Sequence, residues 1–346
     1  MALHALFLAT ALGAAVLSPS SVETSASSRR EIEAAATSSR RWDATGHRAM
    51  AALAYDRLRP ATRQRVDALL RAHPDFARLS EGVDASTASG IREVFLRASV
   101  WPDRIRSDAR FYRENAPRAV PTPLLPGFPT MARHEEWHYL VRSFSTDGTP
   151  TLPLNRPNAA TAAAELADGL ADDRAPASTR AYNLVWLIHI VGDLHQPLHG
   201  TSRSSQEHPE GDAGGNRVFV RLWPDRPDSA NLHGVWDGWV GRAERETRVD
   251  DIARKLGEAL PMSADRNVEE LAIPDGRALG LTVLGWADES ATLARYMAYD
   301  LPPRDSQGPP ALSEAYRAQG ERIARQRLAL AAYRLAALIE ARLGAD

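Results

Sequence analysis

The chain of 346 residues contains no cysteine. That excludes disulfides, thiolate-zinc sites and cysteine nucleophiles, and leaves an extracellular home open. Lysine is almost missing as well: Lys255 is the only one, so nearly every cation is arginine. A GC-rich coding bias accounts for this without a functional reason. No apolar run is long enough to span a bilayer; the nearest, Leu6 to Leu17, is too short. Strong net charge is lacking too. The 42 basic and 44 acidic side chains give −2, which argues against holding a polyanion by bulk charge. What is present, 44% hydrophobic and 25% charged residues, is the composition of a folded globular protein. The length allows one large domain or two ordinary ones.

Leu6 to Leu17 has the length of a signal-peptide core, although Met1 to Ala5 carries no Lys or Arg. Ser/Thr/Ala-rich sequence follows to Arg41, with Ala34-Ala35-Ala36 as a small-residue cleavage site. Residues 1–41 therefore read as an export leader and disordered spacer, which predicts a secreted or periplasmic protein. Beyond Arg41 the apolar spacing is helical. Pro60 to His73 starts on Pro and stops before Pro74. Ala181 to Gly192 reads as a buried helix, and Ser229–Ala243, Val249–Leu260, Ala278–Tyr299 and Leu312–Leu343 as further helices. Alternation at Val218, Val220 and Leu222 predicts one minor β-hairpin near 214–223. Pro/Gly-rich loops are expected at Pro117–Pro129, Asp147–Asn158, Thr201–Asn216 and Pro302–Pro310, and no internal repeat is found.

The densest chemistry lies in Leu187 to Gly200, LIHIVGDLHQPLHG. His189 and Asp193 are four apart, so a helix puts both on one face, where two ligands can converge on one ion. His199 follows Pro197, which bends or ends the helix, whereas His195 points elsewhere. The pattern recurs in NLHGVWD, where His233 and Asp237 are again four apart. Two imidazole/carboxylate pairs without cysteine suggest zinc or another metal bound through nitrogen and oxygen. Ile188, Ile190, Val191 and Leu198 make the His189 helix a buried one, and buried His and Asp need partners. Upstream lie Asp103 in WPDRIR, His138 between Trp137 and Tyr139, and His47 in WDATGH, which begins at Trp42.

Taken in order, WxxxxH, WxD, WHY, HxxxDxxxxxH and NLHxxWD resemble the trinuclear-zinc, single-strand-specific nucleases of the S-one/P-one type. The resemblance runs from Trp42 to at least Asp237 and implies an all-α, mainly helical single domain over 42–346. It implies three zinc ions. Asp103, His138, His189 and Asp193 would hold one. Asp193 would bridge to a second, held also by His47 and the amine and carbonyl of Trp42. His199, His233 and Asp237 would hold the third. Five of the ten histidines are thereby used. Of the others, His73 reads as a helix-end residue, His208 as a loop residue and His134 as a neighbour supporting His138. The zinc phospholipases C resemble the same fold and three-zinc logic. The five-residue step from Trp42 to His47 and the pairing of His233 with Asp rather than Glu favour the nuclease. A purely binding or structural protein leaves the gathering of His and Asp unexplained.

The resemblance further implies hydrolysis of single-stranded DNA and RNA to 5′-phosphate and 3′-hydroxyl ends, with 3′-nucleotidase activity. An activated water, not a side-chain base, is the expected nucleophile. Arg106 matches a family arginine placed against the phosphate, Tyr139 is the candidate base-stacking residue, and Asn216 matches a family GGN. No stable membrane association and no protein partner are implied. The chain departs from the pattern at Val141, where some relatives carry a carboxylate or amide that reads a base edge. It departs again before Trp42, since Ser38-Ser39-Arg40-Arg41 is not a usual signal-peptidase site.

Overall fold

Proline and small polar residues set the helix boundaries in this computed structural model, which describes residues 44–226, 228–243, 248–260, 276–304 and 308–344. The leader and Trp42 lie outside the described residues. Helix α1 is Ala44–Arg57. Helix α2, Pro60–Ala72, opens on Pro, whose missing N–H costs nothing in the first turn, and closes at His73 before Pro74. Helix α3, Ala88–Ala98, is capped by Thr87, whose side chain accepts from the Gly90 N–H at 3.0 Å. A short helix α4, Trp101–Ile105, follows directly. Helix α5, Ala159–Ala171, starts in a capping box formed by Asn158 and Thr161. Helix α6, Ala177–Asp193, is the expected buried helix, and burial continues past it: every residue from Leu184 to Gly200 is buried.

Among the described residues two short sheets interrupt the helices. Strand β1, Arg142–Ser145, pairs in parallel with β2, Thr201–Ser204. Strand β3, Phe219–Arg221, pairs antiparallel with β4, Ser229–Asn231. Then come α7 (Leu232–Asp237), α8 (Trp239–Ala243), α9 (Val249–Ala259), α10 (Gly276–Leu293) with a π turn at Ala294–Ala298, and α11 (Glu314–Leu343), capped by Ser313. Helix α6 packs against α5, α2 and α11, and α1 against α11, α9 and α3. Their apolar faces join one hydrophobic cluster, which places the C-terminal end of α6 deep inside the described residues. None of the described helices is long and apolar enough to cross a membrane.

Helices dominate, as expected of the fold class, but three local expectations are corrected. Ser229–Ala243 is not one helix. Asn231 stays extended and its side chain caps the Gly234 N–H, so α7 starts only at Leu232, and Gly238 separates it from α8. Thr201–Ser204, expected in a loop, is strand β2, because β1 supplies a hydrogen-bonding edge that local sequence does not reveal. The hairpin near 214–223 keeps only Phe219–Arg221. Ala213, Gly214 and Gly215 adopt left-handed backbone, which no strand accommodates, so the pairing strand is β4.

Candidate metal centre

Six separate elements deliver the His and Asp side chains singled out by the sequence. The first turn of α1 carries His47, α4 carries Asp103, a 3-10 turn at Glu135–His138 ends on His138, and α6 carries His189 and Asp193. A second 3-10 turn, Pro197–Gly200, carries His199, and α7 carries His233 and Asp237. All but Asp103 are buried. Helix α6 ends at Asp193, before Pro197, and Pro197 instead opens the 3-10 turn that brings His199 back to Asp193. His195, left out of the site by its spacing, does face away: Nδ1–H donates to the Val191 carbonyl and Nε2 accepts from Arg334 at 2.9 Å.

Among the described residues three groups form, each with its ligand atoms within 4.8 Å of one another: His47, Asp103 and His189; His138, His189 and Asp193; and His199, His233 and Asp237. Asp193 Oδ2 lies 3.0 Å from both His138 Nδ1 and His189 Nε2, and Asp103 Oδ1 lies 3.8 and 3.9 Å from the same two nitrogens. Asp193 Oδ1 lies 3.4 Å from His47 Nε2 and 3.3 Å from His199 Nδ1. Asp237 is 3.6 Å from His199 and 3.5 Å from His233. Glycine at 192 permits the approach of α6 to α1, since a Cβ there would meet His47 Nδ1 at 3.0 Å.

The donor set fits a divalent cation. Among the described residues, both ring nitrogens of His47 and of His199, together with Asp193 Oδ1 and Asp237 Oδ2, are buried without a hydrogen-bond partner. Leaving such groups unsatisfied costs about 1–3 kcal/mol each, and a shared cation satisfies several at once. Outer partners already aim some of the rings. His189 Nδ1–H donates to the Ser99 carbonyl at 2.7 Å, and His233 Nδ1–H to the Gly214 carbonyl at 2.8 Å, leaving both Nε2 lone pairs toward the groups. Gln196 donates to Asp237 Oδ1 at 2.7 Å. Sequence reasoning missed Gln196, although a polar residue between Asp193 and His199 in an apolar segment was the available signal.

The electrostatics agree with this donor set. Burial pushes the Asp193 carboxyl up, but His189, His199 and His138 around it hold it well below the usual carboxylate range. Burial lowers His199, yet Asp193 and Asp237 outweigh it and raise the ring to about 9. His47 is lowered by burial and by His189, against the pull of Asp193 and Asp103.

Arg106 stands beside this centre, its Nη1 4.0 Å from Asp103 Oδ1, half-exposed at the end of α4. A cavity of about 330 Å³ opens next to it, lined by His138, His199 and His233 together with Tyr139, Val141 and Asn216. The structure thus brings both candidate substrate-binding residues, and the divergent Val141, to one wall system. Glu210 and Arg217, which the sequence did not single out, also line it and hydrogen-bond at 3.2 Å. His134 stacks on Trp137 at 3.6 Å, and Trp186 touches both His134 and His138 edge-on. His73 caps α2, and His208 lies in the loop after β2. Trp42 lies outside the described residues.

Comparison with known proteins points the same way. A profile described as S1/P1 Nuclease matches residues 42–344. The chain is similar to Endonuclease 4 of Arabidopsis thaliana, 31% identical over 159 residues, which cover 45% of this chain and 48% of that protein. It is 33% identical to Endonuclease 2 of the same plant over 98 residues, covering 27% and 29% of the two chains, and 39% identical to Endonuclease 3 over 64 residues, or 18% of each. The match to Endonuclease 4 thus spans about half the length of that protein. Since the family profile extends over nearly all of the chain after residue 41, the chain belongs to the S1/P1 nuclease family.

Proposed function

We propose that this protein is a zinc-dependent phosphodiesterase that cleaves single-stranded DNA and RNA to 5′-phosphate ends and also removes 3′-phosphates from nucleotides. One observation carries the reading: among the described residues three His/Asp groups meet around Asp193, and His138, His199 and His233, from two of them, line a cavity of about 330 Å³. A set of His and Asp donors without cysteine suits zinc. Ligation follows the three sets given by the resemblance, with Asp193 shared between two of them and the Trp42 amine completing the His47 site once residues 1–41 are removed. That leader supports a secreted or periplasmic protein whose working part, 42–346, is one domain.

Zinc held there supplies Lewis acidity toward the phosphate and activates a water. The chain supplies the rest. Asp193 keeps two ligand groups in register. Arg106 directs its guanidinium at charge building on the phosphate. Tyr139 offers a ring for a base swung out of a strand, which a base within a duplex cannot reach, and Asn216 lines the same cavity. Val141 offers that base no hydrogen bond, so weak base selectivity is expected.

The test is a metal-stripped sample assayed on single-stranded DNA, duplex DNA, RNA and phosphatidylcholine vesicles, with and without added Zn²⁺. Zinc-restored cleavage of the single strands supports the reading. Cleavage of lipid in place of nucleic acid selects a phospholipase C, and neither activity without bound zinc selects a binding protein.

A further inference from the structure

The Gly211–Arg217 loop forms one wall of the cavity beside the metal centre. Gly211, Ala213, Gly214 and Gly215 in it all have left-handed backbone. For Ala213 that conformation is unfavourable and persists only if the surroundings impose it. Asp212 imposes it. This fully buried carboxylate accepts at Oδ1 from the N–H groups of Arg203 at 3.0 Å and Gly215 at 3.1 Å. The same oxygen accepts from the hydroxyls of Tyr299 at 2.9 Å and Ser202 at 3.3 Å. One atom thereby ties the loop to β2, which follows His199, and to the residue that closes the π turn after α10. Burial and Asp212 itself raise the Tyr299 hydroxyl well above its ordinary range, so it remains a donor.

The loop in turn supports a ligand. The Gly214 carbonyl accepts from His233 Nδ1–H at 2.8 Å, which leaves Nε2 facing Asp237 Oδ2 at 3.5 Å. There is no slack: a Cβ on Gly214 would lie 2.5 Å from the Leu198 carbonyl oxygen. We propose that Asp212, held by Tyr299, is a positioning residue for the His199–His233–Asp237 group. It fixes the Gly214 carbonyl that selects the Nδ1–H form of His233 and aims Nε2 at the ion. The proposal rests on reading that group as a metal site.

The test uses the full chain carrying Asp212→Ala, Asp212→Asn or the double change Asp212→Asn/Tyr299→Phe. Zn²⁺ affinity is read by competition with a chromogenic chelator, and the His233 tautomer in metal-free protein by long-range ¹H–¹⁵N spectra. Asp212→Ala should weaken one ion about 10-fold or more, as loss of outer support does elsewhere. Asp212→Asn, which keeps an acceptor, restores part of that affinity, and the double change loses it again. The weakened ion is the one that His233→Ala loses, so combining the changes adds no further loss, and the His233 Nδ1–H signal is lost or exchanges faster. Should Asp212→Ala fail to fold, the double variant carries the comparison. Unchanged affinity with an unchanged His233 tautomer in a folded variant overturns the proposal, as does a loss that adds to that of His233→Ala. A wild-type chain that takes up no Zn²⁺ overturns the metal reading instead, and the tautomer measurement still decides the role of Asp212.

Discussion

His199 Nδ1 stands 3.3 Å from Asp193 Oδ1, the same oxygen that His47 Nε2 approaches at 3.4 Å. The other oxygen faces His138 and His189 at 3.0 Å. A single carboxylate at the end of α6 therefore stands among histidines from all three ligand groups. Asp193→Asn keeps the shape but removes the charge and one acceptor. Metal content after dialysis should fall, and affinity should drop by more than the ~10–100-fold typical of outer partners. Retention of both metal and activity would falsify the shared role of Asp193.

Arg106 sits close enough to Asp103 to pair with it, but at 4.0 Å the pair is loose and half-exposed. Its main effect should then be on the reaction. Arg106→Ala is expected to lower kcat by about 10–100-fold while metal content and Tm stay near wild type. A change in Tm alone, with kcat preserved, would reduce Arg106 to a surface ion pair.

Tyr139 and Val141 share the cavity wall. Tyr139→Ala should raise KM for oligonucleotides by an amount corresponding to about 1–3 kcal/mol of lost stacking. Tyr139→Phe should restore it, because the ring rather than the hydroxyl does the stacking. Equal KM for the Ala and Phe variants counts against this assignment.

His73 predicts an acid-sensitive fold. Burial lowers it to about 4, its Nδ1 accepts from the Asp75 N–H at 3.1 Å, and its ring meets Trp101 edge-on. The unfolded chain binds the proton first, near its ordinary pKa of about 6.5. The contribution to stability is therefore complete above that pH and is lost as pH falls toward about 4. The size is up to about 3 kcal/mol. Urea unfolding of wild type and His73→Gln between those pH values should show a shallower slope for the variant. Parallel slopes would remove His73 as a cause.

A chain beginning at Trp42 and one retaining residues 1–41 should differ in metal content. A free amine is a far better ligand than a peptide amide, so the shorter chain should bind three Zn²⁺ and the longer one fewer. Mass spectrometry under native conditions gives the count. Identical occupancy and activity remove the terminus from the site.

Much of the site was legible in one dimension because its ligands come in helical pairs. His189 with Asp193 and His233 with Asp237 are each one turn apart, and a helix repeats that spacing wherever it lies. The boundaries at Pro60 and Pro74 were legible for a similar reason, since proline acts on its own neighbours, whereas the His189 helix ends at Asp193, ahead of Pro197. Strand β2 was not legible, because a strand needs an edge supplied by another segment, here β1 at Arg142–Ser145. The break at Asn231 within an expected helix was missed because apolar spacing continued while the local cap decided the start.

Gln196, Asp212 and the carbonyls of Ser99 and Gly214 carry no motif of their own, yet they orient ligands and the loop that supports them. The sequence by itself determined which residue types are available for chemistry: no thiol, histidines and aspartates at helical spacing, and an apolar segment to bury them. Tertiary structure decided which of them meet. Asp103 and His138 lie 3.8 Å apart only because α4 and the turn ending at His138 both pack on α6. Such contacts arise from burying separate apolar faces against one helix, a cooperative outcome that no local window of residues contains.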